Sequence, residues 1–185
     1  NTSWAAAAVG SVTSVDVSGG TTGLTATGGP ITTSGTITLG GTTLELSYHG
    51  LNHSDSTIVM RLPREKIVFI VDTIPVGTVP GRGMIDFYPL EAEQFIKKVL
   101  ALDWERLIPG HPGPGDRLGT KKDAQDQLQL LQDASAEMKP MGQGCKCWDD
   151  GEKEFKLAKY SSWPGYAARL PFIARRYCGY WGRGT

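Results

Sequence analysis

Three segments of this sequence place a side chain that can bind a metal just beyond the end of a predicted β-strand. His53 lies in a loop between two predicted strands, Asp72 follows four apolar strand residues, and His111 lies in a turn of prolines and glycines. Proteins of the α/β class usually assemble their sites at strand ends, and a carboxylate that ends a buried strand is not an ordinary surface charge. Two imidazoles and one carboxylate suit zinc and other divalent first-row metals. The pattern therefore predicts a metal site.

Each of these residues taken alone is a weak indication of such a site. A lone histidine in a loop is more often exposed to solvent or hydrogen-bonded within its turn than bound to a metal. His49 and Asp55 flank His53 at spacings of four and two residues and are additional candidate ligands. The alternative for these two is hydrogen bonding within the loop.

The segments around the candidates have the periodicities of strands and helices. Alternating and β-branched apolar residues predict strands, and apolar residues at helical spacing predict helices. The predicted strands cover residues 43–48, 57–62, 66–71 and 106–108, and the predicted helices cover residues 89–102, 121–138 and 165–177. The order of strands, helix, strand and helix predicts an α/β domain with helices packed against a sheet.

The order of the motifs resembles the carboxy-terminal half of the metallo-β-lactamase superfamily. A G-x-x-H-S segment containing His53 comes first, a strand-end aspartate at Asp72 follows, and an I-P-G-H turn that ends at His111 comes after a further helix. The similarity runs from about residue 41 to the carboxy terminus. It implies half of an αββα sandwich, in which a β-sheet carries helices on one face. The Val, Ile and Thr residues of the segment before it predict a β-rich leader.

The resemblance also implies roles for the three residues. His53 would be a ligand of a first metal, Asp72 a carboxylate bridging two metals, and His111 a ligand of the second. The expected cofactor is one or two zinc ions, with manganese or iron as alternatives. A water activated by the metals would attack a carbonyl or phosphoryl centre of a small-molecule substrate.

The activity implied by the resemblance is that of a metal-dependent hydrolase acting on esters, lactones, lactams or phosphoesters. Lactonase-like and phosphotriesterase-like activities fall in this range, and kinship of fold does not choose among them. One alternative is a catalytically silent structural remnant that folds and assembles without turning over substrate. Another is an artificial fusion without a native function.

The sequence departs from the superfamily because the H-x-H-x-D-H motif, which supplies most of the other ligands, is missing. The chain has three histidines in all, too few for a tightly held pair of metals. Half of a sandwich also leaves an apolar sheet face uncovered. A two-fold homodimer would cover that face and bring two copies of His53, Asp72 and His111 to one cleft. We therefore expect a homodimer or a higher oligomer.

Residues 1–42 differ in composition from residues 43–185, which we interpret as the half-domain. The first 43 residues contain one charged side chain, Asp16, and are rich in Thr, Gly, Ser and Ala. This leader resembles the low-complexity repeats of phage tail and fibre proteins. It is expected to add a strand to an open sheet edge or to drive oligomerisation, with a flexible linker as the alternative.

Composition excludes several classes of partner. Lys plus Arg and Asp plus Glu are balanced at 19 each, so neither a nucleic acid nor an anionic membrane is an expected partner. No apolar run is long enough to span a bilayer, and the amino terminus does not show the basic start and apolar stretch of an export signal, so we expect a cytoplasmic protein. Three cysteines are too few for a disulfide scaffold and are expected to be reduced thiols.

Two groups of residues in the second half have alternative interpretations. Arg82 and the pair Arg175 and Arg176 are candidates for holding an anionic substrate group, and a solvated face explains them equally well. The aromatic residues of the last forty positions are expected to belong to the core or an interface rather than to a substrate cleft. These aromatic residues are Trp148, Trp163, Tyr166, Tyr177, Tyr180 and Trp181.

Overall fold

The computed structural model describes residues 14, 16, 18, 26–32, 34–39, 41–147 and 151–184. Most of the leader before residue 26, and Trp148, lie outside the described residues. The fibre-like character of the leader and the position of Trp148 therefore stay predictions.

Within these described residues, six strands form one sheet whose spatial order is the order of the chain. Neighbouring strands are antiparallel from β1 to β5, whereas β5 and β6 are parallel. The strands are β1 (Ala26–Thr27), β2 (Ser34–Leu39), β3 (Thr42–Tyr48), β4 (Ile58–Leu62), β5 (Ile67–Ile70) and β6 (Arg106–Pro109). The four strands predicted after residue 42 are confirmed to within about two residues at each end.

The helices follow the predicted periodicity. The main ones are α1 (Pro89–Ala101), α2 (Lys121–Gln143) and α4 (Tyr166–Arg183), and α3 (Glu152–Glu154) is a single turn. Short 3-10 helices cover Arg82–Asp86, Pro114–Asp116 and Ala158–Tyr160. α1 lies between β5 and β6 in the chain and supplies the crossover connection that two parallel neighbouring strands require.

Sequence signals explain where α1 and α2 begin. Pro89 is the first residue of α1. Proline is tolerated there because a backbone N–H at that position would have no acceptor within the helix. Thr120 and Asp123 form a capping box at the start of α2, in which Asp123 Oδ2 accepts from Thr120 N at 2.8 Å. α2 and α4 both run beyond their predicted ends. The last turn of α2 packs so closely on α4 that a Cβ at Gly142 would lie 2.6 Å from Cβ of Trp181. The periodicity of a single segment does not show such a contact between two helices.

The main core lies between one face of the sheet and the helices. Val59, Val68 and Ile70 point to that face and belong to the same buried cluster as Phe95 of α1 and Leu131 of α2. The predicted arrangement of a sheet with helices on one face is therefore confirmed. Four of the six aromatic residues expected in the core or an interface join this core, whereas Tyr180 is half-buried and is not among the residues that pack on it. Tyr177 is buried, and Trp163, Tyr166 and Trp181 pack against the cluster.

The opposite face of the sheet is apolar as well. Leader residues Ile31 and Ile37 cover its β3 side, where they form a small buried cluster with Leu46. Ile58 and Met60 of β4 also pack against this small cluster, whereas four apolar side chains farther along β4, β5 and β6 are only partly buried and belong to neither described cluster. We call this region the open face, and it consists of Leu62, Ile67, Phe69 and Ile108.

The leader and the half-domain share this sheet. β2 pairs with β3 over six residues, with Ile37 opposite Leu44 and Leu39 opposite Thr42. The hairpin between β2 and β3 thus crosses the boundary between residues 42 and 43 that composition suggests. A strand contributed by the leader to the sheet edge is what β-augmentation would produce.

The expectation of reduced cysteines is wrong for two of the three. A disulfide joins Cys147, which follows α2, to Cys178 in α4. The two residues are 31 positions apart in the chain, and only the packing of α4 against α2 brings their Cα atoms to 5.4 Å. Cys145 is an exposed free thiol. None of the described helices combines the length and the apolar character needed to cross a lipid bilayer.

Candidate metal centre

The parallel pairing of β5 and β6 brings Asp72 and His111 together. Ile70 is paired with Pro109 at the carboxyl ends of these strands, and each candidate ligand follows two residues later. As a result, Nε2 of His111 lies 3.0 Å from Oδ1 of Asp72. Two residues far apart in sequence thus become neighbours because their strands end at the same edge of the sheet.

The backbone and surroundings of Asp72 are unusual for a surface carboxylate. Its φ is 60°, in the left-handed region that aspartate tolerates better than most residues and that is often found at functional sites. Oδ1 is shielded from solvent and accepts no hydrogen bond from any described residue. The approach of His111 is close but does not have hydrogen-bond geometry. Asp72 therefore has a buried oxygen whose partner is missing from the described residues.

Gly110, between β6 and His111, leaves the space that this contact needs. A Cβ at this position would lie 3.0 Å from Oδ1 of Asp72 and 2.8 Å from Cγ1 of Val71. The I-P-G-H turn thus needs its glycine for close approach of backbone and carboxylate.

His53 lies on the same cavity as Asp72 and His111. The edge of its ring packs against Phe87, with ring centres 5.5 Å apart. A Cβ at Gly83 would lie 2.9 Å from Nε2 of His53. The glycine therefore leaves space beside this nitrogen that a larger residue would fill. The three residues predicted as main ligands are thus brought to one cavity, and their role as ligands stays a prediction.

Asn52 holds His53 in place, and sequence analysis missed it. Asn52 is fully buried. Its Oδ1 accepts from the backbone N of His53 at 2.6 Å and from Oγ1 of Thr73 at 2.8 Å, and its Nδ2 donates to the carbonyl of Gly50 at 3.0 Å. Asn52 therefore ties the β3–β4 loop to the residue that follows Asp72. An amide directly before a candidate ligand was the signal that could have identified it.

The other two candidates, His49 and Asp55, do not line the cavity. Nε2 of His49 lies 2.8 Å from Oγ of Ser47, and the rings of His49 and Phe95 form an edge-to-face pair with centres 6.2 Å apart. Burial, and then the positive charge of Lys98, lower the pKa of His49 below its usual value. Asp55 is half-buried in the β3–β4 loop.

The cavity has a volume of about 680 Å³, within the usual size range of small-molecule sites. The segment after β5, the 3-10 helix Arg82–Asp86, the turn after β6 and the first turns of α4 supply its walls. Arg82 and Arg169 also line it, whereas Arg175 and Arg176 do not. Nε of Arg176 instead donates to the carbonyl of Phe87.

The site fits a metal ion in donor type but not in donor number. Imidazole nitrogens and a carboxylate oxygen are ordinary zinc ligands. The buried Oδ1 of Asp72 has no hydrogen-bond donor among the described residues, as is expected of an oxygen that binds a metal ion. However, no group of three or more His, Cys, Asp or Glu side chains that could hold one ion is found within the described part of the chain. The described residues supply only part of a coordination set.

Comparison with known proteins identifies the fold. Neither a family model nor a curated protein sequence matches this chain. Among solved structures, a metallo-β-lactamase from Pontibacter korlensis is 23% identical over 56% of this chain and 47% of that one, with a TM-score of 0.50. A metallo-β-lactamase family protein from Thermus thermophilus is 12% identical over 80% of this chain and 46% of that one, with a TM-score of 0.55. The chain spans less than half the length of each of these structures, and over the aligned part it has the metallo-β-lactamase fold.

Proposed function

We propose that this chain is part of a metal-dependent hydrolase in which His53, Asp72 and His111 are metal ligands. The observation that carries the proposal is the buried Oδ1 of Asp72, which has no hydrogen-bond donor among the described residues and lies 3.0 Å from Nε2 of His111. Buried carboxylate oxygens are rarely left without a partner. A divalent ion, when bound, would lower the pKa of a water molecule and make it a nucleophile at neutral pH.

The chain's own residues prepare the site for that ion. The register of β5 and β6 sets the separation of Asp72 and His111, and Asn52 fixes the backbone of His53. Gly83 and Gly110 leave space beside the candidate ligand atoms. Zinc suits this mixture of nitrogen and oxygen donors best, with manganese or iron as alternatives. The substrate class that we propose is an ester, lactone, lactam or phosphoester.

A second copy of the chain is the source that we propose for the missing ligands. The full sequence contains three histidines, so one copy offers few nitrogen donors. The open face of Leu62, Ile67, Phe69 and Ile108 is apolar and only partly buried, and such a face favours burial against another apolar surface. A two-fold dimer across it would bury one copy against the other and double the set of donors.

Metal content is the measurement that tests this function. The protein is purified with zinc present, dialysed, and its bound metal is counted by elemental mass spectrometry. Hydrolysis of chromogenic phosphotriester, lactone and cephalosporin substrates is then followed. We expect bound zinc, activity that is lost to a chelator, and at least about a 100-fold loss of activity in Asp72→Asn.

Asp86→Asn is the matched control because Asp86 is exposed and does not line the cavity. This variant removes the same charge and is expected to keep metal and activity. The second candidate function is a structural protein without catalysis, which is favoured by the incomplete set of ligands among the described residues. A folded protein that binds no metal and hydrolyses none of the three substrates would support it over the hydrolase.

A further inference from the structure

Two arginines line the cavity of the candidate site, and neither has an acidic partner among the described residues. Arg82 is the first residue of the 3-10 helix Arg82–Asp86. Its side chain is exposed and forms no hydrogen bond or ion pair within the described ranges. Arg169 lies in the first turn of α4 and is half-buried. An arginine at a cavity wall without a carboxylate partner keeps its full positive charge available to a ligand.

Arg169 is held in a fixed position by neutral acceptors. Its Nη1 donates to Oγ1 of Thr78 at 2.8 Å and to the carbonyl of Val79 at 2.8 Å. Thr78 Oγ1 in turn donates to the carbonyl of Pro164 at 2.8 Å. These bonds position the guanidinium without neutralising it, since no acceptor carries a charge. Fixing a side chain in advance lowers the entropy lost when a ligand binds.

The charges around the cavity favour an anion. Asp72 is the single acidic residue among the lining side chains, and Nε2 of His111 lies against it. α4 lines the cavity with one side of its first two turns, through Ala168, Arg169 and Phe172, so Arg169 is the charge that this helix contributes to the wall. The two arginines thus outweigh the one carboxylate, whose charge the proposed metal would neutralise.

We infer that Arg82 and Arg169 bind an anionic group of the substrate, a carboxylate or a phosphate, while the bond to be cleaved lies near Asp72 and His111. This inference rests on the proposed function and adds a substrate class to it. The cavity of about 680 Å³ has room for a small molecule that carries such a group in addition to the scissile bond. Planar guanidinium groups match the paired oxygens of both kinds of anion.

Binding of inorganic phosphate and of acetate, measured by isothermal titration calorimetry, tests the inference without requiring catalysis. We expect Arg82→Gln and Arg169→Gln each to weaken binding of the preferred anion by roughly 10-fold. Tighter binding of phosphate would indicate a phosphate group on the substrate, and tighter binding of acetate would indicate a carboxylate. Arg64→Gln is the matched control, because this arginine lies in the β4–β5 turn with a side chain that is 85% exposed and is not part of the cavity.

Substrate selectivity gives the second measurement. The mono-4-nitrophenyl ester of glutaric acid carries a carboxylate, and 4-nitrophenyl butyrate is a neutral ester with the same leaving group. We expect Arg82→Gln to lower kcat/KM about 10-fold for the first ester, mainly through KM, and to lower the preference for the first ester over the second by a similar factor. If Arg169→Gln proves unstable, Arg169→Lys replaces it in the measurement. Because lysine keeps the positive charge, Arg169→Lys is expected to retain part of the anion binding.

The two proposals fail in different ways. Loss of anion binding in both arginine variants but not in Arg64→Gln supports the anion subsite even if no ester is hydrolysed. Wild-type protein that binds neither anion, or that loses nothing in either variant, overturns the subsite even if zinc-dependent hydrolysis is observed.

Discussion

His49 and His53 are four residues apart in one loop, yet their side chains have different surroundings. His53 lies on the cavity against Phe87, whereas His49 is turned toward Ser47 and Phe95. Residue type alone made both candidates for metal ligands. The surroundings of His49 point to a structural contribution that depends on its being neutral.

The pKa of His49 predicts how the stability of this protein depends on pH. Burial, and then the charge of Lys98, lower the pKa of His49 from its usual value of 6.5 in the folded state. The unfolded chain therefore takes up a proton at this residue before the folded chain does. The contribution of His49 to the free energy of unfolding should be fully present above pH 6.5 and be lost as pH falls from there through the folded pKa.

Urea unfolding at several pH values between about 7.5 and 5 checks this prediction, since it measures the free energy of unfolding directly. We expect a shallower loss of stability in His49→Gln than in the wild type, because glutamine takes up no proton. Lys98→Met should raise the pKa of His49 toward its usual value, as measured by NMR titration. A wild-type His49 that titrates at its usual value or higher would contradict the prediction.

At the scale of elements, the site depends on two connections that meet at Asn52. The β3–β4 loop carries His53, and the segment after β5 carries Asp72 and Thr73. The side chain of Asn52 joins them, because its Oδ1 accepts from His53 N and Thr73 Oγ1. The backbone carbonyl of Asn52 accepts from the N of Tyr88 at 2.8 Å. Asn52 therefore positions candidate ligands without lining the cavity itself.

Asn52→Ala is expected to release the β3–β4 loop. The change leaves the N–H of His53 and the hydroxyl of Thr73 without this acceptor, which should lower the free energy of unfolding by about 2 kcal/mol. It should also weaken zinc binding by roughly 10- to 100-fold, because residues that orient ligands have effects of this size. Competition with a chromophoric chelator measures the affinity, and urea unfolding measures the stability.

Thr73→Val serves as the control for Asn52→Ala. It removes one hydroxyl donor to Asn52 Oδ1 but leaves the bond from His53 N in place. We expect it to weaken zinc binding less than Asn52→Ala does. Equal zinc affinity in the wild type and in folded Asn52→Ala would show that Asn52 does not position the site.

At the scale of the whole molecule, the open face is the feature that the single chain leaves unexplained. The helices cover one face of the sheet, and Ile31 and Ile37 cover part of the other. Leu62, Ile67, Phe69 and Ile108 stay partly exposed. Phe69 is central among them because it is paired with Met60 on one side and with Ile108 on the other.

Phe69→Glu is expected to separate the copies in the proposed dimer. A carboxylate at the centre of an apolar interface has no partner there and is costly to bury. Light scattering coupled to size-exclusion chromatography should give the mass of two wild-type chains and of one variant chain. The variant is also expected to lose most of its zinc, since the second copy would no longer supply ligands.

Leu118→Glu is the matched control, because Leu118 is 47% exposed and does not belong to the open face. It should leave the mass unchanged, and circular dichroism verifies that both variants are folded. A wild-type protein that has the mass of one chain at all concentrations yet holds zinc firmly would rule out the second copy as the source of ligands.

Much of the fold could be predicted from local patterns. The apolar residues of α1 recur at helical spacing, and the runs that became β4 and β5 are bounded by turn residues such as Pro63. The positions of His53, Asp72 and His111 after strands could be predicted for the same reason, because each follows a strong local signal. The lengths of α2 and α4 could not, since the last turn of α2 depends on its contact with Trp181.

The amino-acid sequence by itself determined which segments become strands and helices and which candidate ligands follow them, because periodicity and turn chemistry are local properties. Only the tertiary structure decided that Asp72 meets His111, that His49 turns away from the cavity, and that Arg169 joins Arg82 on its wall. The physical reason is that these outcomes depend on the parallel register of β5 and β6 and on the packing of α4. Both are contacts between residues far apart in the chain, which no local pattern encodes.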